Sequence, residues 1–173
     1  EEVQLKLRVM GTYAASAPCD CAKSKKIFDE ACVALAKEPL PANWHGSING
    51  LALLATGNDQ YRPLLQKLAQ EISTNARKSD RIGMGSWENG YRGLFLSEYY
   101  LATGDSSVLP AINAITVSLA RGQSMFGTFG HGYASLTPDG KLHGSIPPYG
   151  PVNQAGLPAN LAILFGKKCG VLD

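Results

Sequence analysis

Ser86 to Asp105 reads SWENGYRGLFLSEYYLATGD, and this stretch decides the fold class. From Tyr91 to Ala102 it is apolar almost all the way round, broken only by Arg92, Gly93, Ser97 and Glu98. The run is too long for a strand. A helix without a polar face has to be covered by other elements on several sides. The Thr103-Gly104-Asp105 that follows pairs a helix-stopping glycine with a residue type that caps the next helix.

The same pattern occurs once more, 47 residues earlier. Leu54-Ala55-Thr56-Gly57-Asn58 matches Leu101-Ala102-Thr103-Gly104-Asp105, and beyond the turn Tyr61, Leu65, Leu68 and Ile72 match Val108, Ile112, Ile115 and Leu119. Pro63 and Pro110 coincide early in each second helix, where a missing N–H costs little. Upstream, Gly46 matches Gly93, with Trp44 and His45 opposite Tyr91 and Arg92. A third copy begins at Asn153, where Ala155 to Gly166 spans the same step into a turn, with Leu157, Leu161 and Leu164 as its apolar positions. A period in the high forties with two helices per unit is a helical-hairpin array. The expected class is mainly α, an incomplete α/α toroid-like array with an N-terminal strand and an inserted β-hairpin.

The remaining segments fit around this frame as one domain over 1–173. Glu2 to Tyr13 alternates apolar and polar residues like a half-buried strand, and 1–18 is read as strand plus connector. A helix over 20–38 begins at a possible Asp20 cap and ends at Pro39 and Pro41. Hairpin one covers 44–75, hairpin two 87–121, and 153–173 begins hairpin three. Between them, 122–150 is too long and too rich in glycine for a plain connector. Thr137-Pro138-Asp139-Gly140-Lys141 is a turn signal, with Tyr133–Thr137 and Lys141–Ile146 as the arms of a β-hairpin. The absence of an initiator Met and the unfinished third unit read as a fragment of a longer chain.

A net charge of +2 and 45% hydrophobic residues point to no particular partner. No stripe of basic residues suggests nucleic acid, and no run is long enough to span a membrane. Cys19, Cys21, Cys32 and Cys169 lack the paired spacing of a metal site and read as small apolar side chains. No metal and no cofactor are expected.

Several phrases carry a resemblance: Gly11-Thr12-Tyr13 after the opening strand, Ala17-Pro18 to Lys23-Ser24, Gly130-His131-Gly132-Tyr133, Asp139 to Gly144, and Tyr149 to Pro158. With these the chain resembles a family of unknown function from planctomycete- and verrucomicrobium-like bacteria, often found downstream of a PDZ domain. The hairpin pattern is more remotely similar to the α/α toroids of terpenoid cyclases and prenyltransferases. The resemblance implies a PDZ domain elsewhere in the full-length chain and an exported or periplasmic location. It carries no activity.

In such an array the loops before the inner helices gather on one face. That face should hold Trp44, His45, Trp87, Glu88, Tyr91, Arg92, Asn153 and Gln154, joined by His131, Tyr133, His143 and Tyr149 from the insert. An aromatic, hydrogen-bonding surface of this kind suits a glycan or a peptide. Trp44 and Trp87 also suit a packing role beside helix starts, and Glu88 a first-turn acid favoured by the helix dipole. Glu98 stands out because its repeat partner is Leu51; a carboxylate within an apolar helix either pairs or serves as an acid. The first expectation is therefore a binding or scaffold module. The alternative is a polysaccharide- or peptide-processing hydrolase or lyase using Glu98 with His131 or His143. Self-association through an open third unit is a further expectation.

Overall fold

The computed structural model describes residues 21–76, 84–134 and 150–173. These divide into two units, Glu1–Glu38 and Pro39–Asp173. The first contributes α1 (Ala22–Lys37), an exposed-faced helix with Lys25–Asp29 and Lys26–Glu30 pairs one turn apart. It ends at Lys37, and Glu38, the residue before Pro39, is extended, as a residue preceding proline prefers.

The second unit holds α2 (Trp44–Ala55), α3 (Arg62–Ala76), α4 (Gly85–Thr103), α5 (Leu109–Gly122) and α6 (Asn153–Lys168). α4, which contains the decisive stretch, packs against α2, α3, α5 and α6. Phe95 and Leu96 are completely buried in it. α2, α4 and α6 form one row, while α3 and α5 pack on each other and on that row.

The repeat in sequence is a repeat in geometry. Thr56 donates its hydroxyl to the Leu53 carbonyl at 2.7 Å and accepts the Asn58 N–H at 3.1 Å. Thr103 does the same with Tyr99 at 2.7 Å and Asp105 at 3.3 Å. Gly57 and Gly104 sit at φ 62° and 73°, a region glycine enters without penalty. Asn58 and Asp105 then each accept a backbone N–H two residues on, opening a short 3₁₀ turn before the next helix. Burial follows the same offset: Tyr61, Leu65, Leu68 and Ile72 are buried, and so are Val108, Ile112, Ile115 and Leu119.

The third unit departs from the expected register. Gly166 does not turn the chain; a Cβ there would lie 2.6 Å from Thr116 Cγ2, so it is a point of close helix approach. The turn comes one helical turn later, at Gly170, with φ 74°. The Gly170 N–H bonds to the Lys167 carbonyl at 3.0 Å and the Val171 N–H to that of Gly166 at 3.1 Å, a Schellman closure. The large apolar positions of this unit do not form its inward face. Leu157 and Leu164 are 64% and 62% exposed, and α6 turns Ala155, Ala159, Ala162 and Gly166 inward. On α4 these meet Gly90 and Gly93: a Cβ on Gly90 would lie 2.9 Å from the Ala159 nitrogen, and one on Gly93 2.9 Å from Ala162 Cβ. Small residues every third or fourth position let the two backbones approach closely.

The class is all-helical, which corrects the mixed expectation: no strand occurs among the described residues. The N-terminal strand, Glu2–Tyr13, lies outside the described residues, and none of those described offers a strand for it to pair with. Of the inserted β-hairpin, 135–149 lies outside them as well. Tyr133 and Ala134, the described residues of its first arm, are otherwise engaged. The Ala134 N–H bonds to the Gly122 carbonyl at 3.0 Å, and this contact closes Gly122–Ala134 into an Ω-loop. Phe129 plugs the loop, 1% exposed, and Ser124 and Thr128 bond to each other across its base at 2.7 Å.

Candidate functional site

The Ω-loop is fastened to the N-terminal end of α4. The Ser86 N–H donates to the His131 carbonyl at 3.1 Å and the Ser86 hydroxyl to that of Gly132 at 3.1 Å. The loop carbonyl of Phe129 accepts the Val152 N–H at 2.8 Å, which brings the start of α6 to the same end. Asn153 and Gln154, the first two residues of α6, are exposed there.

Trp44 opens α2, and Trp87 and Tyr91 lie one turn apart on α4. Their rings form a triangle. Trp44 and Trp87 have centroids 6.0 Å apart, Trp44 and Tyr91 6.4 Å, and Trp87 and Tyr91 6.4 Å. His45 stacks on Trp44 at 3.5 Å. His131 extends the set on the other side: Trp87 Nε1 donates to His131 Nδ1 at 2.9 Å, with the ring planes 13° apart. Centroids 6.0 Å apart with a hydrogen bond between the edges mean that the two rings lie side by side, not face to face. An Nδ1 that accepts puts the neutral ring's proton on Nε2. The three central rings are half-buried and His45 is exposed.

The α2 side of the triangle is held by Arg92. Its Nε donates to the Ala42 carbonyl at 3.1 Å, and its Nη2 donates to the same oxygen. Nη2 also lies 3.2 Å from Glu88 Oε2, in an ion pair whose side chains are 12% and 28% exposed. That oxygen has no hydrogen bond of good angle, so Glu88 acts on Arg92 through charge rather than as an acceptor. Asn43 caps α2 by accepting the Gly46 N–H at 3.1 Å. Gly46 is required here: a Cβ would fall 1.9 Å from the Pro41 carbonyl oxygen. Glu88 and Arg92 thus position Trp44 from beneath.

Tyr133 points away from the rings. Its hydroxyl accepts from Asn89 Nδ2 and from the Ser118 hydroxyl at 3.3 Å, and its ring lies over Gly122. It anchors the Ω-loop. His143 and Tyr149 lie outside the described residues. Glu98 is half-exposed on α4, eleven residues past Trp87, which is about 16 Å along a helix. Its charge adds to the burial that pushes the Cys169 thiol above its usual range. Glu98 and His131 are therefore not brought together. Among the described residues no three His, Cys, Asp or Glu side chains cluster as a metal site, and Cys21, Cys32 and Cys169 are free thiols. No helix of the described residues is long and apolar enough to cross a membrane.

A concavity of about 110 Å³ lies at the C-terminal ends of α2 and α4, where Gly57, Asp59 and Arg62 face Tyr99 and Thr103. Burial, then the Asp105 charge, pushes the Tyr99 hydroxyl above its usual range. This concavity depends on the turn geometry of both hairpins, and no spacing in the sequence signals it.

Residues 24–173 match the model of a domain of unknown function, DUF6288. The chain belongs to the DUF6288 family. The match takes in all of the second unit and most of α1, so the aromatic triangle and its Ω-loop fall within the DUF6288 domain. Searches of curated proteins and of solved structures give no match to the chain.

Proposed function

We propose that this DUF6288 domain is a binding module that takes a glycan on the face formed by Trp44, Trp87 and Tyr91. The observation that carries this reading is the triangle itself: three half-buried aromatic rings within 6.4 Å of one another, held from two sides by fixed loops. Rings held in advance lose little freedom on binding, and flat apolar faces beside polar edges suit the CH faces and hydroxyls of a sugar. His45, Asn153 and Gln154 are exposed at the same end and supply hydrogen-bonding groups.

Neutral oligosaccharides and unstructured peptides, screened side by side by titration calorimetry, test the reading. Saturable binding of an oligosaccharide, weakened at least about tenfold (about 1.4 kcal/mol) by Trp87→Ala, is expected. Binding that survives Trp87→Ala and Tyr91→Ala together would remove the face from the account.

A further inference from the structure

The start of α4 is joined to the Ω-loop by hydrogen bonds of two kinds. Ser86 donates its N–H to the His131 carbonyl and its hydroxyl to the Gly132 carbonyl, each at 3.1 Å. Those acceptors are amide oxygens, which keep their lone pairs at every pH. The other bond runs between side chains: the Trp87 Nε1–H donates to His131 Nδ1 at 2.9 Å, with the two half-buried rings 13° from coplanar. An indole nitrogen can only donate, so this bond lasts while Nδ1 keeps its lone pair. An imidazolium has a proton on both nitrogens and would set two N–H donors against each other.

We propose that the Trp87–His131 bond is a pH-sensitive latch on the aromatic face: neutral His131 holds the indole in the triangle, and protonation releases it while the Ω-loop stays in place. Histidine is the side chain that changes charge between about pH 5 and pH 8. The loop stays because its other ties do not involve the imidazole: the two Ser86 bonds, Ala134 N–H to the Gly122 carbonyl at 3.0 Å, and Val152 N–H to the Phe129 carbonyl at 2.8 Å. Few other described groups at this end can carry charge. α4 brings Tyr91 and the Glu88–Arg92 pair, held at 3.2 Å, and the Ω-loop brings Tyr133, whose hydroxyl is engaged by Asn89 and Ser118. The first turn of α6 brings none, and α2 brings His45. Only His45 shares the chemistry of His131, and it stacks on Trp44. The consequence for a ligand, weaker binding as the pH falls, rests on the glycan reading above; the latch itself does not.

Ligand-free protein carrying Trp44→Phe has Trp87 as its single tryptophan, so its emission reports the latch. Emission and circular dichroism are followed together from about pH 8 to about pH 5. Acidification is expected to shift the Trp87 emission to longer wavelength, reversibly and along a one-proton curve, at constant helical signal. Adding His131→Asn, which keeps a neutral acceptor near the place of Nδ1, is expected to abolish the shift, and adding His45→Asn to leave it. In the wild type, nitrogen-15 NMR reads the same event without substitution: the Trp87 indole N–H resonance is expected to move with the His131 ring nitrogens at one midpoint. Emission that stays constant overturns the proposal, as does a shift that survives His131→Asn or accompanies loss of helix. An indole resonance that does not follow His131 overturns it too. No ligand enters the test, so its failure and the failure of the glycan reading are separate results.

Discussion

Phe95 and Gly50 offer the sharpest test of how the row of inner helices is built. Phe95 is fully buried in α4, and a Cβ on Gly50 of α2 would lie 2.7 Å from Phe95 Cε2 and 2.7 Å from Leu68 Cδ2. Phe95→Ala removes a ring whose neighbour has no side chain with which to fill the space, so its cost should fall in the upper part of the usual range, about 4 kcal/mol. Gly50→Ala alone sets about 1–3 kcal/mol of overpacking against about 1 kcal/mol gained in helix propensity, a net loss of roughly 0–2 kcal/mol. In the Phe95→Ala background the new methyl no longer meets the ring, the end of the Leu68 side chain can give way into the vacated space, and the helix gain remains. Urea unfolding of the four proteins by circular dichroism gives the cycle. The double variant is expected to be at least about 1 kcal/mol more stable than the sum of the single losses implies. Additivity within about 0.5 kcal/mol would refute the direct packing of Phe95 on Gly50.

Further outcomes follow from other contacts. Gly104→Ala, forced to a φ of 73°, is expected to cost about 1–2 kcal/mol in thermal or urea unfolding. The fully buried Ser97 hydroxyl meets the Cys169 thiol, a weak hydrogen-bonding group, so Ser97→Ala should change stability in urea unfolding by less than about 1 kcal/mol. The Ser107 hydroxyl and backbone N–H hold the Asp105 carboxyl below the usual carboxylate range. Its native value is lower than its unfolded one, so its contribution is complete above about pH 3.9 and disappears as the pH falls through the native value. Asp105→Asn, which copies Asn58 in the first hairpin, should keep the cap and flatten that part of the acid unfolding curve.

The helical hairpins were legible because their signals are local. Thr-Gly-Asx turns, prolines at the second position of each second helix and apolar spacing all act within a few residues, and they recur at a fixed offset. The third unit was less legible: the turn expected at Gly166 comes at Gly170, and its inward face is made of Ala155, Ala159, Ala162 and Gly166 while Leu157 and Leu164 are exposed. Closeness of backbones, rather than side-chain size, decides burial there. The Ω-loop was misread for a related reason: Gly130 to Tyr133 is fixed by Ser86 and Gly122, partners far off in the chain, while the turn signal at Thr137–Lys141 belongs to the residues beyond. The site was partly legible. The repeat puts Trp44 opposite Tyr91 in equivalent positions, and one helical turn separates Trp87 from Tyr91, but the joining of Trp87 to His131 bridges 44 residues. Glu98 stood out because it breaks the repeat, and the structure puts it far from the rings.

Both tryptophans of the chain, Trp44 and Trp87, belong to the triangle, so the protein's intrinsic tryptophan fluorescence reports on the proposed ligand face alone. Titration with neutral oligosaccharides should shift or quench that emission to saturation, with Trp44→Phe and Trp87→Phe each retaining part of the change. Emission that stays constant up to millimolar concentrations of every oligosaccharide, in a protein shown to be folded, would contradict a glycan-binding role for this face.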